Sequence, residues 1–240
     1  MEPLHIFLLI AVVGGAGFVQ RVSGFGLGIF TMLFLPHFIP SQQAATISCL
    51  FSVGTSTYNA IRYRKDINYR TVLPLLIAAA VSIPIAVYFS VKVPKRAFEI
   101  LLGVVLVILS LYFIFFNKRI KLRASITGGV IAGALGGTLN GLFSTGGPPV
   151  VLYLTHATES NMVYFATIQF YFCLTNIYAT ASRAVSGVIT PRLLLYAVIG
   201  FAGCMIGDLI GRTVFDRLDS DKMKLVIYIG MIVSGVIMIL

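Results

Sequence analysis

Charge is scarce in this chain. Lys, Arg, Asp and Glu make up 11% of its 240 residues, against about 25% in ordinary soluble domains. Acids are scarcer than bases, 8 against 18. With 58% hydrophobic residues and a mean hydropathy of +0.96, there is more apolar surface than a soluble core can bury, which excludes a soluble globular protein. Cysteines are few: Cys49, Cys173 and Cys204. Each lies in an apolar run and their spacing fits no metal site, so they read as small buried residues. Catalytic signatures are missing as well. There is no HExxH, GxSxG or P-loop lysine. The Gly24–Gly28 run lacks the spacing and the strand–helix setting of a dinucleotide fingerprint. No enzyme activity and no cofactor are expected. The N-terminus carries Glu2 and no basic region, and its apolar run continues past signal-peptide length, so the first segment is expected to stay in the membrane.

What the chain does contain is a series of apolar runs near ~20 residues, the length of a membrane-crossing helix. They lack the alternation of a transmembrane β-barrel, so the expected fold is an all-α polytopic membrane protein. The net charge of +10 comes from Lys and Arg clustered between these runs. That pattern reports membrane orientation and does not call for a nucleic-acid partner. The expected partners are the lipid bilayer and a small anionic substrate, and a homodimer is left open.

The segments run from Leu4 to Leu35, about Ser41 to Ile61, Thr71 to Val91, Ala97 to Phe116, Ala124 to His156, Asn161 to Ala181, Pro191 to Gly211 and Lys222 to Leu240. The plan repeats: a long first segment and three ordinary ones, in 1–117 and again in 124–240, together one membrane domain. Gly17 and Gly26 fall opposite Gly137 and Gly146; Lys95 and Gly103 fall opposite Lys222 and Gly230. The first segment of each repeat is too long for one straight span. Leu4–Leu35 would measure roughly 48 Å at 1.5 Å per residue, against a hydrocarbon core of about 30 Å. Each is therefore expected to be broken or re-entrant. If all eight segments cross, basic loops fall on both sides. If the two long segments are hairpins that return to their starting side, Arg62–Arg70, Lys118–Arg123 and Arg212–Lys224 gather on one side. The second arrangement obeys the positive-inside rule better. It inverts the repeats and puts both termini outside.

The breaks carry the chemistry. Gly133–Leu154 holds Asn140, Ser144, Thr145, Gly146 and Gly147 before Pro148 and Pro149. Those prolines cannot both continue a helix, but suit the start of a new one. Gly17–Phe30 matches it with Gln20, Arg21, Ser23, Gly24 and Gly26. Paired, polar, glycine-rich breaks in two hydrophobic halves point to a transport site. Half-helix N-termini attract anions, and Ser23, Asn140, Ser144 and Thr145 can donate to an oxyanion or else satisfy the opened backbone. Arg21 is the only Lys or Arg well inside an apolar segment by position. It would either contact the anion or snorkel to an interface. The candidate substrate-binding set is thus Gln20, Arg21, Ser23, Gly24, Gly26, Asn140, Ser144, Thr145, Gly146 and Gly147, with no metal ligands. Asn59, Gln169 and Asn176 read as interhelical glue, Asp208 and Arg212 as an i,i+4 pair.

Two of these signatures, Gly17-Phe18-Val19-Gln20 with Ser23-Gly24-Phe25-Gly26, and Gly141 with Thr145-Gly146-Gly147-Pro148-Pro149, resemble those of the sulfite exporter TauE/SafE family of membrane permeases. Pro36 also matches, and the likeness covers nearly the whole chain. Arg21 departs from the pattern, since many relatives carry a small residue there. The resemblance implies movement of small sulfur-containing anions, such as sulfite, sulfoacetate or other organosulfonates, across the cell membrane. The competing classes are an anion channel and a membrane scaffold that transports nothing. A channel needs a continuous wet pore, whereas here polarity is confined to two breaks.

Overall fold

The computed structural model describes residues 3–23, 25–115, 125–214 and 220–240. Among the described residues it is all-helical, with ten α-helices and two 3-10 turns. α1 (Pro3–Ser23) and α2 (Leu27–Phe34) come from the first long segment. α3 (Ser41–Arg62), α4 (Tyr69–Lys92) and α5 (Lys95–Phe115) complete the first half. α6 (Ile126–Phe143) and α7 (Gly147–Ala157) come from the second long segment, followed by α8 (Asn161–Val185), α9 (Pro191–Val214) and α10 (Ser220–Ile239).

Both long segments are therefore broken. The second break follows from local chemistry. Ser144 closes α6 in the left-handed conformation, φ 56°, and its N–H returns to the Asn140 carbonyl. Pro148 and Pro149 then open α7, where missing N–H groups leave nothing unpaired. In the first break Gly26 sits at φ 108° ahead of α2, a conformation that favours glycine. Other helix starts are capped by side chains: Asn68, Ser125 and Ser160 accept from the amides of Thr71, Gly128 and Val163. Such a cap is worth about 1 kcal/mol. After each break the chain folds back on itself. Gly15 of α1 lies against the Phe30 ring of α2, and Tyr153 of α7 donates its hydroxyl to the Ser125 carbonyl at the start of α6, 3.1 Å away. These are two helical hairpins.

The hairpins are held by close, glycine-lined helix seams. α6 runs parallel to α4, with Gly133 against Leu75, Gly137 against Ala79, and Gly141 against Ile83 and Ala86. Glycines four apart share one helix face, and small residues let backbones touch. A Cβ at Gly133 would sit 2.4 Å from the Leu75 carbonyl oxygen. α1 runs parallel to α9 in the same way: a Cβ on Gly207 would come within 1.8 Å of the Gly14 carbonyl oxygen. α3 and α8 pack antiparallel, Cys49 against Asn176 and Thr180, Tyr63 against Phe165. α5 and α10 do likewise, with Phe113 and Tyr228 stacked at 5.0 Å.

Burial is distributed as a bilayer requires. α4, α5, α6 and α9 each hold a stretch long and apolar enough to cross a membrane. The outward face of α4 (Leu73, Ile77, Val81 and Ile85) is more than half exposed, an apolar stripe that lipid would cover. α3 and α8 are as long but more polar than these four. They are the inner helices, burying Ser48, Ser52, Thr55, Ser56 and Asn59 on one and Gln169, Thr175 and Asn176 on the other. Their hydroxyls return to carbonyls of their own helix, as Thr55 and Thr175 do, which lowers the cost of burying them.

Candidate functional site

The tips of the two hairpins meet. Gly28, at the start of α2, packs on the Ser144 carbonyl at the end of α6 so closely that a Cβ there would lie 1.8 Å from the oxygen. Around this contact is a small cavity of about 20 Å³, which is enough for one water. Its walls include Gln20, Gly26, Gly28, Ser52, Asn140, Ser144, Thr145, Gly147, Phe172 and Asn176. Two half-helices begin here, α2 and α7, and their first-turn amides have no partner within the helix. The positive ends of both dipoles therefore converge on the cavity.

The side chains divide by hydrogen bonding. Ser144 donates its hydroxyl to the Ala45 carbonyl, 2.6 Å away, and so serves the fold. Gln20 accepts from the Thr55 hydroxyl at 3.1 Å, tying α1 to α3. Asn140 and Thr145 line the cavity, and their Nδ2 and Oγ1 are buried with no hydrogen-bond partner. An unpaired buried polar atom costs about 1–3 kcal/mol, so two in one cavity call for a ligand or water. Gly146 and Gly147 also separate. Gly146 also borders the cavity, but a Cβ on it would lie 2.4 Å from the Gly136 carbonyl, so this glycine lets the hairpin close. The atoms nearest to a Cβ on Gly147 would be side-chain atoms of Phe25 and Phe172, from 3.2 Å outward.

Of the residues singled out in the sequence, Gln20, Gly26, Asn140, Ser144, Thr145, Gly146 and Gly147 come together at the cavity. Gly24 and the Ser23 side chain lie outside the described residues. Arg21 is not brought there. It sits half-buried in the last turn of α1, its guanidinium 5.9 Å from the centre of the Phe165 ring. The expectation that Arg21 is the one basic residue deep in an apolar segment is corrected by Arg183, which is 2% exposed. The sixth segment does not end at Ala181, because α8 continues to Val185 and carries this residue into the protein. Arg183 donates to the carbonyls of Asn140 and Gly141 at 3.2 and 2.9 Å. Asn176, read as interhelical glue, accepts from the Cys49 thiol and also lines the cavity. The Arg212 side chain of the Asp208–Arg212 pairing, and the Lys118–Arg123 loop, lie outside the described residues.

A second chamber, about 420 Å³, is bordered by Val151, Thr155, Glu159, Asn161, Tyr164 and Tyr228. Phe25 and Phe113 complete its wall, and Phe25 also lines the small cavity. Phe25 thus borders both spaces, its ring 5.7 Å from that of Phe113.

Residues 8–238 match the family model described as sulfite exporter TauE/SafE. The chain belongs to that family. TauE/SafE proteins are exporters, so this is a membrane transporter and not an enzyme. Among curated proteins, the probable sulfite/organosulfonate exporter TauE of Cupriavidus necator is 23% identical over 215 residues, covering 87% of this chain and 84% of its own length. No solved structure matches. The TauE/SafE signatures Thr145-Gly146-Gly147-Pro148-Pro149 and Gly26 are the residues from which the two hairpin tips are made.

Proposed function

We propose that the protein exports small sulfur oxyanions, sulfite or an organosulfonate, across the cytoplasmic membrane, and that the anion binds between the hairpin tips. The observation that carries this reading is the pair of unpartnered, buried donors, Asn140 Nδ2 and Thr145 Oγ1, in a cavity faced by two half-helix N-termini. An oxyanion supplies the acceptors that both donors lack. A carrier is favoured over a channel because the cavity between the tips has room for only about one water. The substrate must trigger widening, as alternating access requires. A scaffold would have no use for the orphaned donors. On purified protein, sulfite or sulfoacetate is expected to raise the melting temperature in a saturable way, while chloride and choline do not. A ligand at a hundred times its dissociation constant stabilises by about 2.7 kcal/mol. No stabilisation by any sulfur oxyanion, with no saturable flux in proteoliposomes, would overturn the reading.

The membrane arrangement that goes with it has inverted repeats, 1–117 and 124–240, each a re-entrant hairpin plus three crossings. What supports it is the exchange of partners: α1 packs parallel to α9 as α6 does to α4, while α3–α8 and α5–α10 are antiparallel. Both termini and Lys92–Arg96 then lie outside, and Arg62–Arg70 lies in the cytoplasm, in keeping with the positive-inside rule. The native cysteines Cys49, Cys173 and Cys204 are buried, so background labelling is low. A membrane-impermeant thiol reagent added outside cells is expected to modify Lys95→Cys and spare Lys65→Cys. The opposite pattern refutes this orientation.

A further inference from the structure

We propose that Arg183 supplies the fixed positive charge of the anion site. This rests on the carrier reading above and adds the residue that makes the site select anions. A break in a helix presents two ends to the same cavity. The N-termini of α2 and α7 are favourable to an anion; the C-termini of α1 and α6, the negative ends of their dipoles, are not. α1 carries Arg21 in its last turn. α6 has no basic residue in its own last turn. The cation comes instead from α8: Arg183 holds the Asn140 and Gly141 carbonyls with one terminal nitrogen, while its other terminal nitrogen, Nη1, is buried with no hydrogen-bond partner.

The guanidinium is therefore one residue's backbone away from a cavity wall, since Asn140 gives Arg183 its carbonyl and gives the cavity its side chain. Asn176, seven residues before Arg183 on the same face of α8, lines that cavity too. Arg183 is 2% exposed, and among the described residues no carboxylate forms an ion pair with it. Two carbonyls and the Cys49 side chain lie against it, but a charge without a carboxylate partner in a membrane interior is expensive and is retained where it has a function. A substrate anion at the tips is a partner whose arrival neutralises it. The two carbonyl bonds fix the guanidinium in place, so no reorganisation is needed when the anion enters.

The test separates charge from capping. Sulfite and sulfoacetate binding are measured on monodisperse wild-type protein and on Arg183→Gln, Arg183→Lys and Arg183→His. The glutamine form is expected to lose affinity roughly tenfold or more, the scale of a lost charge interaction in a dry site. The lysine form keeps the charge and is expected to retain most of the affinity. In the histidine form, sulfoacetate binding is expected to tighten as pH falls from about 8.5 to about 6, as the imidazole gains its proton. Wild type is expected to show no such dependence. Cys49, the titratable side chain against Arg183, is present in every form and cancels in the comparison. Equal affinity in the glutamine and wild-type proteins, a histidine form with no added pH dependence, or loss of folded protein in all three variants would each overturn the proposal and leave Arg183 a cap on α6. Failure of wild type to bind either anion would overturn the carrier reading itself, and this with it.

Discussion

Gly28→Ala is expected to abolish transport and to remove most of the folded protein. The added methyl would lie 1.8 Å from the Ser144 carbonyl oxygen and 2.9 Å from its carbon. Both obstacles are backbone atoms, so no rotamer change relieves the clash. Overpacking usually costs about 1–3 kcal/mol where side chains can shift; here one of the two hairpins must move. Because Ser144 is also fixed to α3 through the Ala45 carbonyl, displacing the second tip breaks that bond as well. Gly147→Ala is the control, since the atoms nearest to its methyl would be side-chain atoms of Phe25 and Phe172 and not backbone. Recovery of monodisperse protein after solubilisation should fall sharply for Gly28→Ala and little for Gly147→Ala. Normal recovery and transport from Gly28→Ala would mean that the tips do not meet as described.

Thr145→Val is expected to move stability and binding in opposite directions. The Thr145 hydroxyl is 2% exposed as a residue and unpartnered. Replacing it with a methyl of similar volume removes a desolvation penalty of about 1–3 kcal/mol, so the ligand-free protein should melt at the same or a higher temperature. The same hydroxyl is one of two donors available to an oxyanion, so sulfite affinity should fall roughly tenfold, the value of one such bond to a charged group. Melting curves with and without sulfite read both effects from one sample. A variant that melts earlier, or binds sulfite as wild type does, would remove Thr145 from the site.

Much of this arrangement is legible in the sequence, and for definite reasons. Pro148 and Pro149 cannot continue α6, which locates the second break to within a few residues. The length of Leu4–Leu35, with its glycines at 24, 26 and 28, favours the first. Chain statistics are less informative about depth. Arg21 is central in its apolar run, but the run folds back near it, so the residue ends against Phe165 and not at the cavity. Arg183 fails in the opposite sense. It lies near the end of a run and resembles a loop residue, yet α8 carries it inside. A signal for it does exist: Gln169, Asn176 and Arg183 recur every seven residues and mark one polar face of α8. Glycine is the least legible residue. Gly146 and Gly147 are neighbours in one motif and both border the cavity, but one lies against the Gly136 backbone and the other against the Phe25 and Phe172 side chains. Only three-dimensional packing distinguishes them.

The glycine seams determine which parts can move as units. Where Gly207 meets Gly14, and Gly133 meets Leu75, main chain lies directly on main chain, with no side chain between them to yield. A displacement of α1 is therefore handed to α9 almost undiminished, and one of α6 to α4. Each seam joins a hairpin from one half of the chain to a long helix from the other. The rigid bodies of this exporter thus cut across the order of the sequence, and a stroke that opens one tip pulls on a helix encoded in the other half of the chain.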